Sequence, residues 1–465
     1  MENHSFTAIN KHLLELLPEL LPSLQGERFH YLKIAQHAAV YHFMGSSQKL
    51  IAHRFNKSFF WQHHIYSLKA FRAKNHLRPA LNELVLIDSG RAAPLADGQA
   101  VSVYFQHIKE QVSSPLSHLI ALNGNNEIAH DLDLKSQLVL MQKSLHPEEV
   151  RLLKDINSVL KQLKKQPQVS ADFWEYLASA FHRFFEEFHL YFQLFKNQKI
   201  KKVVATNHYH QEGLIAACRM NKIKFFELQH GLMSKCDIYY AYPEQVLPSI
   251  DLREAFFADT LFLYGEFWKG ILRQGGEQKN TQLEVAGDYV HKQLQSQDEQ
   301  PELVKKNVIF IGAQKNMHLE YVAYLKQLLP LVEEKHPDWI VQVKLHPLEK
   351  KADLYYALEH PQLDIRWNES DLSTLLREAK IQISVYSTTL YDALGFDVLN
   401  LSIQNYTAYK DYAAEMIDMK IAFPLDFDAD PIALLDEFHI TELTPRERVY
   451  STFDPNVFKN RLDHD

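Results

Sequence analysis

Glycine is scarce in this chain, 14 among 465 residues, and none falls in a GxxxxGK[ST] or a GxGxxG pattern. Without such loops, readings as a P-loop kinase or a Rossmann dehydrogenase are poor. Cysteine is scarcer still. Cys218 and Cys236 are the only two, a number that suits a reducing cytoplasm, and a disulfide between them is not expected. No run of about 18 apolar residues occurs, and the first residues, MENHSFTAINKH, lack the pattern of a signal peptide. A soluble, cytoplasmic protein is expected. Nor is there a surplus of positive charge. Fifty Lys and Arg against 58 Asp and Glu give a net charge of -8, which argues against a nucleic-acid partner held by a basic surface.

What is present points to a large globular protein. The length exceeds one ordinary domain, so two or three are expected, and 46% hydrophobic residues suffice for real cores. Residues 5–22 have the apolar spacing of an amphipathic helix interrupted at Pro18. Residues 28–43 predict a strand or a buried helix, and 46–79 look helical and aromatic. ELVLIDSGR (83–91) is a buried strand, while 100–165 read as largely helical around a polar loop at Asn123–Asn126. The segment 171–195 predicts a long helix with a wide aromatic face. Such a face serves a core or a dimer; its mixed charges speak against the alternative of a membrane-surface helix.

From residue 199 the rhythm changes to α/β. KIKKVVATN (199–207) and IKFFELQHG (223–231) flank a helix, a β-α-β unit of a parallel sheet. A second set of strands is read from TLFLYGEFW (260–268) through LEVAGDYV, NVIFIGAQ, WIVQVKLHP, LDIRW and IQISVYS to DVLNLSI (397–403), with a surface linker at 291–307. The expected organisation is an acceptor-side domain at 1–258 with helical insertions, a nucleotide-donor domain at 259–425, and a helical tail at 426–465 packing back on the first domain. Two Rossmann-like parallel-sheet domains facing across a cleft, the first with a helical elaboration, make an α/β protein of GT-B type.

The residues that carry chemistry sit at predicted strand ends. Lys344 and His346 lie two apart on one strand, so they share a face, and Pro347 ends that strand. Some forty residues later Ser387, Thr388 and Thr389 open a helix after IQISVY. A cation, a histidine and hydroxyls beside free helix N–H groups make an anion site for a diphosphate. The bland alternatives are a surface lysine and ordinary N-capping. Gln314, after VIFIGA, is a further candidate nucleotide contact; Glu349 and Glu415 are weaker ones for a ribose or base. In the first half, Gln229-His230-Gly231 ends a strand, with His230 suited to remove an acceptor proton near neutral pH and Gly231 to let the chain turn. His208, His210 and Glu212 form a neighbouring cluster in which a metal ligand set is incomplete, so no metal is expected. Asp88 is the alternative base. Gly265 and Gly287 are read as turn residues.

The KxHP strand at 344–347 followed by the S/T cluster at 387–389 resembles bacterial surface-polysaccharide transferases of GT-B fold. These include capsule Kdo-transferases, sialyl- and polysialyltransferases, and CDP-glycerol glycerophosphotransferases. The similarity covers about residues 200–425. It implies that His346 and Ser387/Thr388 hold the donor phosphate and that His230-Gly231 matches the His-Gly strand end supplying the base. IDSG at 87–90 lacks the second acidic residue of the sialyltransferase motif, which weakens Asp88 as base.

The resulting expectation is an inverting, metal-independent and cofactor-free glycosyltransferase of capsule or lipopolysaccharide synthesis. Its catalytic candidates are His230, Asp88 and Glu212; its donor is a nucleotide sugar, with CMP-linked acidic sugars favoured. The acceptor is a glycan or lipid-linked glycan, and peripheral contact with the inner membrane and a homodimer stay open. The rival readings are a glycerophosphotransferase, a sugar-nucleotide epimerase of the same shape, and a scaffold without catalysis.

Overall fold

The computed structural model describes residues 6–43, 80–89, 92–94, 100–120, 132–133, 145–235, 239–240, 256–275, 281–290, 304–314, 317–346, 349–367, 372–404 and 410–464. The aromatic segment 46–79, the Asn123–Asn126 loop, most of the 291–307 linker, Cys236 and Pro347 lie outside the described residues.

The chain opens with α1 (Phe6–Leu24), which runs straight through Pro18 and Pro22. Sequence spacing predicted a break at Pro18. Each interior proline costs about 3 kcal/mol, but Leu13, Leu17, Leu20 and Leu24 are all buried, and burying each stabilises by about 1.5–3 kcal/mol. Packing wins. α2 (Leu32–Phe43) is buried over most of its length, which settles 28–43 as helix. There follow β1 (Leu84–Asp88), a short hairpin of β2 (Ala92–Pro94) and β3 (Ala100–Ser102), α3 (Gln106–Gln111), β4 (Leu116–Ile120) and β5 (Leu132–Asp133). Among the described residues of 100–165, helices at Gln106–Gln111 and Pro147–Leu163 are joined by short strands that the sequence did not mark. These strands are too short for a period to show before α4 (Pro147–Leu163) begins.

α5 (Ala171–Phe195) is the aromatic helix, capped by Ser170 and lined by buried Phe173, Phe181, Phe184, Phe185 and Phe188. It is a core helix. β6 (Lys202–Ala205), α6 (Glu212–Met220) and β7 (Lys224–Leu228) form the expected unit. Gly213 lets the first turn of α6 press on α5: a Cβ there would meet Phe188 N at 2.5 Å and Phe184 O at 2.7 Å. β8 (Thr260–Leu263), α7 (Glu266–Gly275) and β9 (Gln282–Val285) come next. They join the first sheet, whose order is β5-β4-β1-β6-β7-β8-β9. The strands read from sequence as opening the second set therefore complete the first, and the second sheet starts at Val308. Apolar strands of equal character carry no mark of which sheet they join; the pairing of Phe226 with Thr260 decides it.

The second half comprises β10 (Val308–Gly312), α8 (His318–Lys335), β11 (Ile340–Lys344), α9 (Ala352–Tyr356), β12 (Leu363–Arg366), α10 (Leu372–Glu378), β13 (Ile381–Ser384), α11 (Thr388–Asp392), β14 (Leu399–Ile403), α12 (Lys410–Asp418) and β15 (Phe423–Leu425). Its sheet order is β12-β11-β10-β13-β14-β15. All pairings in both sheets are parallel, as the fully buried runs LVLID, VIFIG and LNLSI require. Each sheet reverses direction once, between β1 and β6 in the first and between β10 and β13 in the second. Ligands of such sheets bind outside the carboxyl ends of the strands at that reversal.

The tail does pack on the first domain. Lys202 Nζ donates to the carbonyls of Arg461 and Leu462, and Asp463 accepts from the N–H groups of Ser113 and Ser114. Gly265 and Gly287, expected as turn residues, are where it docks. A Cβ on Gly265 would meet Val449 O at 2.4 Å, and one on Gly287, whose φ is +80°, would meet Thr452 O at 2.2 Å.

Candidate functional site

The reversal point of the second sheet gathers most of the predicted donor residues. Gly312 ends β10 in register with Lys344 on β11. On its other side a Cβ at Gly312 would lie 2.7 Å from Thr389 Oγ1. Glycine is needed there for clearance. The KxHP strand end and the hydroxyl turn thus flank one residue, although forty positions separate them in sequence.

Within this group Ser387 is the N-cap of α11, its Oγ accepting from Thr389 N at 3.2 Å. Thr388 is exposed, while Ser387, Thr389 and His346 are half-buried. Lys344 Nζ donates to the carbonyl of Trp367 at 3.0 Å, so reaching a phosphate requires it to swing from that bond. α11 has only five residues, and its dipole is correspondingly small; charge neutralisation falls to the side chains. Gln314, expected at the nucleotide, is a buried brace: its Oε1 accepts from Tyr321 Oη at 2.9 Å and from Tyr386 N at 3.3 Å. Glu349 turns back on its own loop, accepting from the N–H groups of Lys350 and Lys351.

Across the cleft the His230-Gly231 strand end faces this turn. A Cβ on Gly231 would lie 3.9 Å from Thr388 Cγ2. Gly231 has no positive φ among the described backbone outliers, and a methyl group would fit beside Thr388. His230 Nε2 is 2.7 Å from Tyr209 Oη, and the His230 carbonyl accepts from Tyr104 Oη at 3.0 Å. Four residues on, Ser234 Oγ donates to Glu415 of α12, whose other oxygen accepts from Lys235 N at 3.1 Å. Glu415, a candidate ribose contact, is in fact an interdomain clasp.

The remaining candidates occupy other places. Asp88 is fully buried, 3.0 Å from His118 Nε2, and Lys109 Nζ lies 2.7 Å from His118 Nδ1. Both neighbours favour a structural carboxylate at the end of β1 rather than one facing an acceptor. His208 is also buried. Burial lowers its pKa against the opposing Glu227 carboxylate, to which its Nδ1–H donates at 2.5 Å. Glu227 in turn accepts from Tyr240 Oη at 2.6 Å. Burial alone would raise the Glu227 pKa; the His208 and Tyr240 contacts outweigh it and hold the carboxyl low. Glu212 faces His37 Nδ1 at 3.2 Å in the first domain. Among the described residues no group of three or more His, Cys, Asp or Glu is placed to hold a metal ion.

Sequence reasoning missed Tyr209, Tyr104, Glu227, His118 and the Ser234–Glu415 clasp. The one available signal was Glu227, a carboxylate inside the apolar run KFFELQ. The others depend on which strands become neighbours.

No family model matches this chain, and no curated protein does. Solved structures match over most of their length. MnaA of S. aureus, in a co-structure with UDP, superposes with a TM-score of 0.50 at 10% identity, covering 83% of this chain and 96% of that one. The GT-B-like fold is thereby shown. The UDP-GlcNAc 2-epimerase of Methanocaldococcus jannaschii, in complex with UDP-GlcNAc and UDP, matches with a TM-score of 0.46 at 11% identity, covering 82% and 98%. At such identities the likeness speaks for the fold, and the resemblance to capsule and glycerol-phosphate transferases rests on the motifs alone. Among the described residues no helix is long and apolar enough to cross a membrane.

Proposed function

We propose that the chain is an enzyme acting on a nucleotide sugar in the interdomain cleft, and that it transfers the sugar to a hydroxyl of a surface glycan. The observation that carries this reading is the apposition of Thr388 to Gly231, which sets His230 opposite the hydroxyl turn. His346, Ser387 and Thr388 hold the donor phosphate, with Lys344 joining them by leaving Trp367. An acceptor hydroxyl takes the place of Tyr209 at His230 Nε2 and gives up its proton there. Its oxygen bonds to the anomeric carbon as the bond to phosphate oxygen breaks, and the nucleotide leaves with the electron pair. Stabilising that developing charge supplies most of the rate gain in such a step.

A second reading is epimerisation of a UDP-sugar, the reaction named for one of the fold neighbours, a UDP-GlcNAc 2-epimerase. Moving a proton on and off a sugar carbon calls for available acid and base groups. Carboxylates of this region have protein partners, Asp88 with His118, Glu212 with His37, Glu227 with His208, Asp288 with Arg446, Asp392 with Tyr450 and Glu415 with Ser234, as His230 has Tyr209. The two readings are separated by whether an acceptor is consumed.

The test is a thermal-shift panel of UDP, CMP, CDP and GDP with and without EDTA, followed by NMR of the matching nucleotide sugar incubated alone. A ligand that binds only the folded chain raises its Tm. A shift from one nucleotide, kept in EDTA and lost in His346→Ala, supports the site. Appearance of a 2-epimer without any acceptor overturns the transfer reading in favour of the epimerase.

A further inference from the structure

Away from the phosphate site, α2, α5 and the start of α6 enclose a half-open pocket lined by His37, Tyr41, Arg183, Glu187, His210 and Glu212. Its enclosed space is ≈ 20 Å³, room for one hydroxyl or water-sized group at the base. His37 is 5% exposed. Its Nδ1 lies 3.2 Å from Glu212 Oε1. Its Nε2 is buried with no hydrogen-bond partner. A buried polar atom without a partner is costly unless something supplies one.

The rim has the complementary deficiency. Arg183 is exposed, and among the described residues it makes no hydrogen bond or ion pair. Burial raises the Glu212 pKa, opposed first by the Lys33 charge and less by that of Arg183. Glu187 does not neutralise Arg183 either. Burial, then the Glu212 charge, raises its pKa to about 8 against the opposing Arg183 and Gly213 contacts, so it carries its proton at neutral pH and offers an O–H. Burial also lowers His37 well below its ordinary range and His210 to about 3. Both rings stay neutral, and Tyr41 Oη lies 3.3 Å from His210 Nε2. The pocket therefore offers a buried unpartnered ring nitrogen, a neutral O–H and an exposed guanidinium.

We propose that this pocket is an acceptor subsite for an acidic sugar, one hydroxyl of which hydrogen-bonds with His37 Nε2 while its carboxylate pairs with Arg183. The assignment rests on the transfer reading for its meaning. The rings of His210, Tyr239, Tyr209 and His230 lead from the pocket to the base in steps of 5.5, 4.5 and 5.6 Å between centroids. That separation suits a sugar upstream of the reacting one, so the acceptor is an acidic oligosaccharide rather than a single neutral residue.

The test uses the full chain without nucleotide and saturation-transfer NMR with methyl β-D-glucuronide and methyl β-D-glucoside as probes. The glucuronide is expected to show transfer and the glucoside none. Arg183→Gln, a change at an exposed position, is expected to weaken glucuronide binding about tenfold, as loss of a charged hydrogen bond does, while the nucleotide-induced rise in Tm is unchanged. Equal signals from both glycosides, no signal from either, or a glucuronide signal that survives Arg183→Gln overturns the subsite. If no nucleotide shifts Tm while glucuronide still binds, the transfer reading falls and the pocket stands.

Discussion

Thr388 lies opposite Gly231: a Cβ on Gly231 would be 3.9 Å from Thr388 Cγ2. One methyl group therefore fits there, and a larger one displaces the hydroxyl turn. Gly231→Ala is expected to keep most activity, whereas Gly231→Leu lowers kcat/KM by about 10² with little change in Tm. Equal activity in both variants, measured as nucleotide release, places the reaction elsewhere.

His346 is the group asked to meet charge on the leaving phosphate. Removing one such donor from a preorganised site costs about 10²–10³ in kcat. His346→Ala is expected to lose turnover on that scale and to keep the wild-type melting profile. Near-normal kcat removes His346 from the site.

The Tyr209 hydroxyl, 2.7 Å from His230 Nε2, favours the neutral imidazole when it donates to that nitrogen. Tyr209→Phe then raises the pKa of the base in the free enzyme. The acid limb of the kcat/KM profile is expected to move to higher pH. A limb that does not move shows that His230 does not set it.

Glu187 gives a stability test with a definite sign. Its folded pKa of about 8 exceeds the ordinary carboxyl value because of burial and the nearby Glu212 charge. Between the two values the folded state holds the extra proton, so this contribution is complete at low pH and is lost as pH rises to about 8. His210, lowered by burial and by Arg183 to about 3, acts in the opposite sense, and only below about 6.5. Between pH 6.5 and 8.5 wild-type Tm should fall, and Glu187→Gln should flatten that fall. The same slope in the variant refutes the raised pKa.

The clasp of Ser234 and Lys235 N on Glu415 joins the strand end bearing His230 to α12 of the second domain. Glu415→Ala removes the acceptor shared by Ser234 Oγ and Lys235 N, at a cost of about 1–3 kcal/mol. Lower Tm with a raised KM for the donor is the expected result; an unchanged KM means the clasp is purely structural.

Much of this protein follows from residue order alone. The buried runs LVLID, VIFIG and LNLSI, with helices between them, dictate parallel sheets covered on both faces. The KxHP strand end and the Ser387–Thr389 turn were visible because strand alternation and capping chemistry are local. The boundary between the sheets was not, since a strand's own residues do not say which sheet it joins and only the partners of β8 and β9 decide their place. For the same reason Glu415 and Gln314 read as ligand contacts: their partners Ser234, Tyr321 and Tyr386 lie 181, 7 and 72 positions away. Gly265 and Gly287 pointed to turns, which the φ of +80° at Gly287 bears out, and the returning tail also needs their missing side chains. Local chemistry is written in neighbouring residues. Which buried group meets which is decided only when the sheets assemble, because burial makes each unpaired polar atom costly and tertiary packing alone supplies its partner.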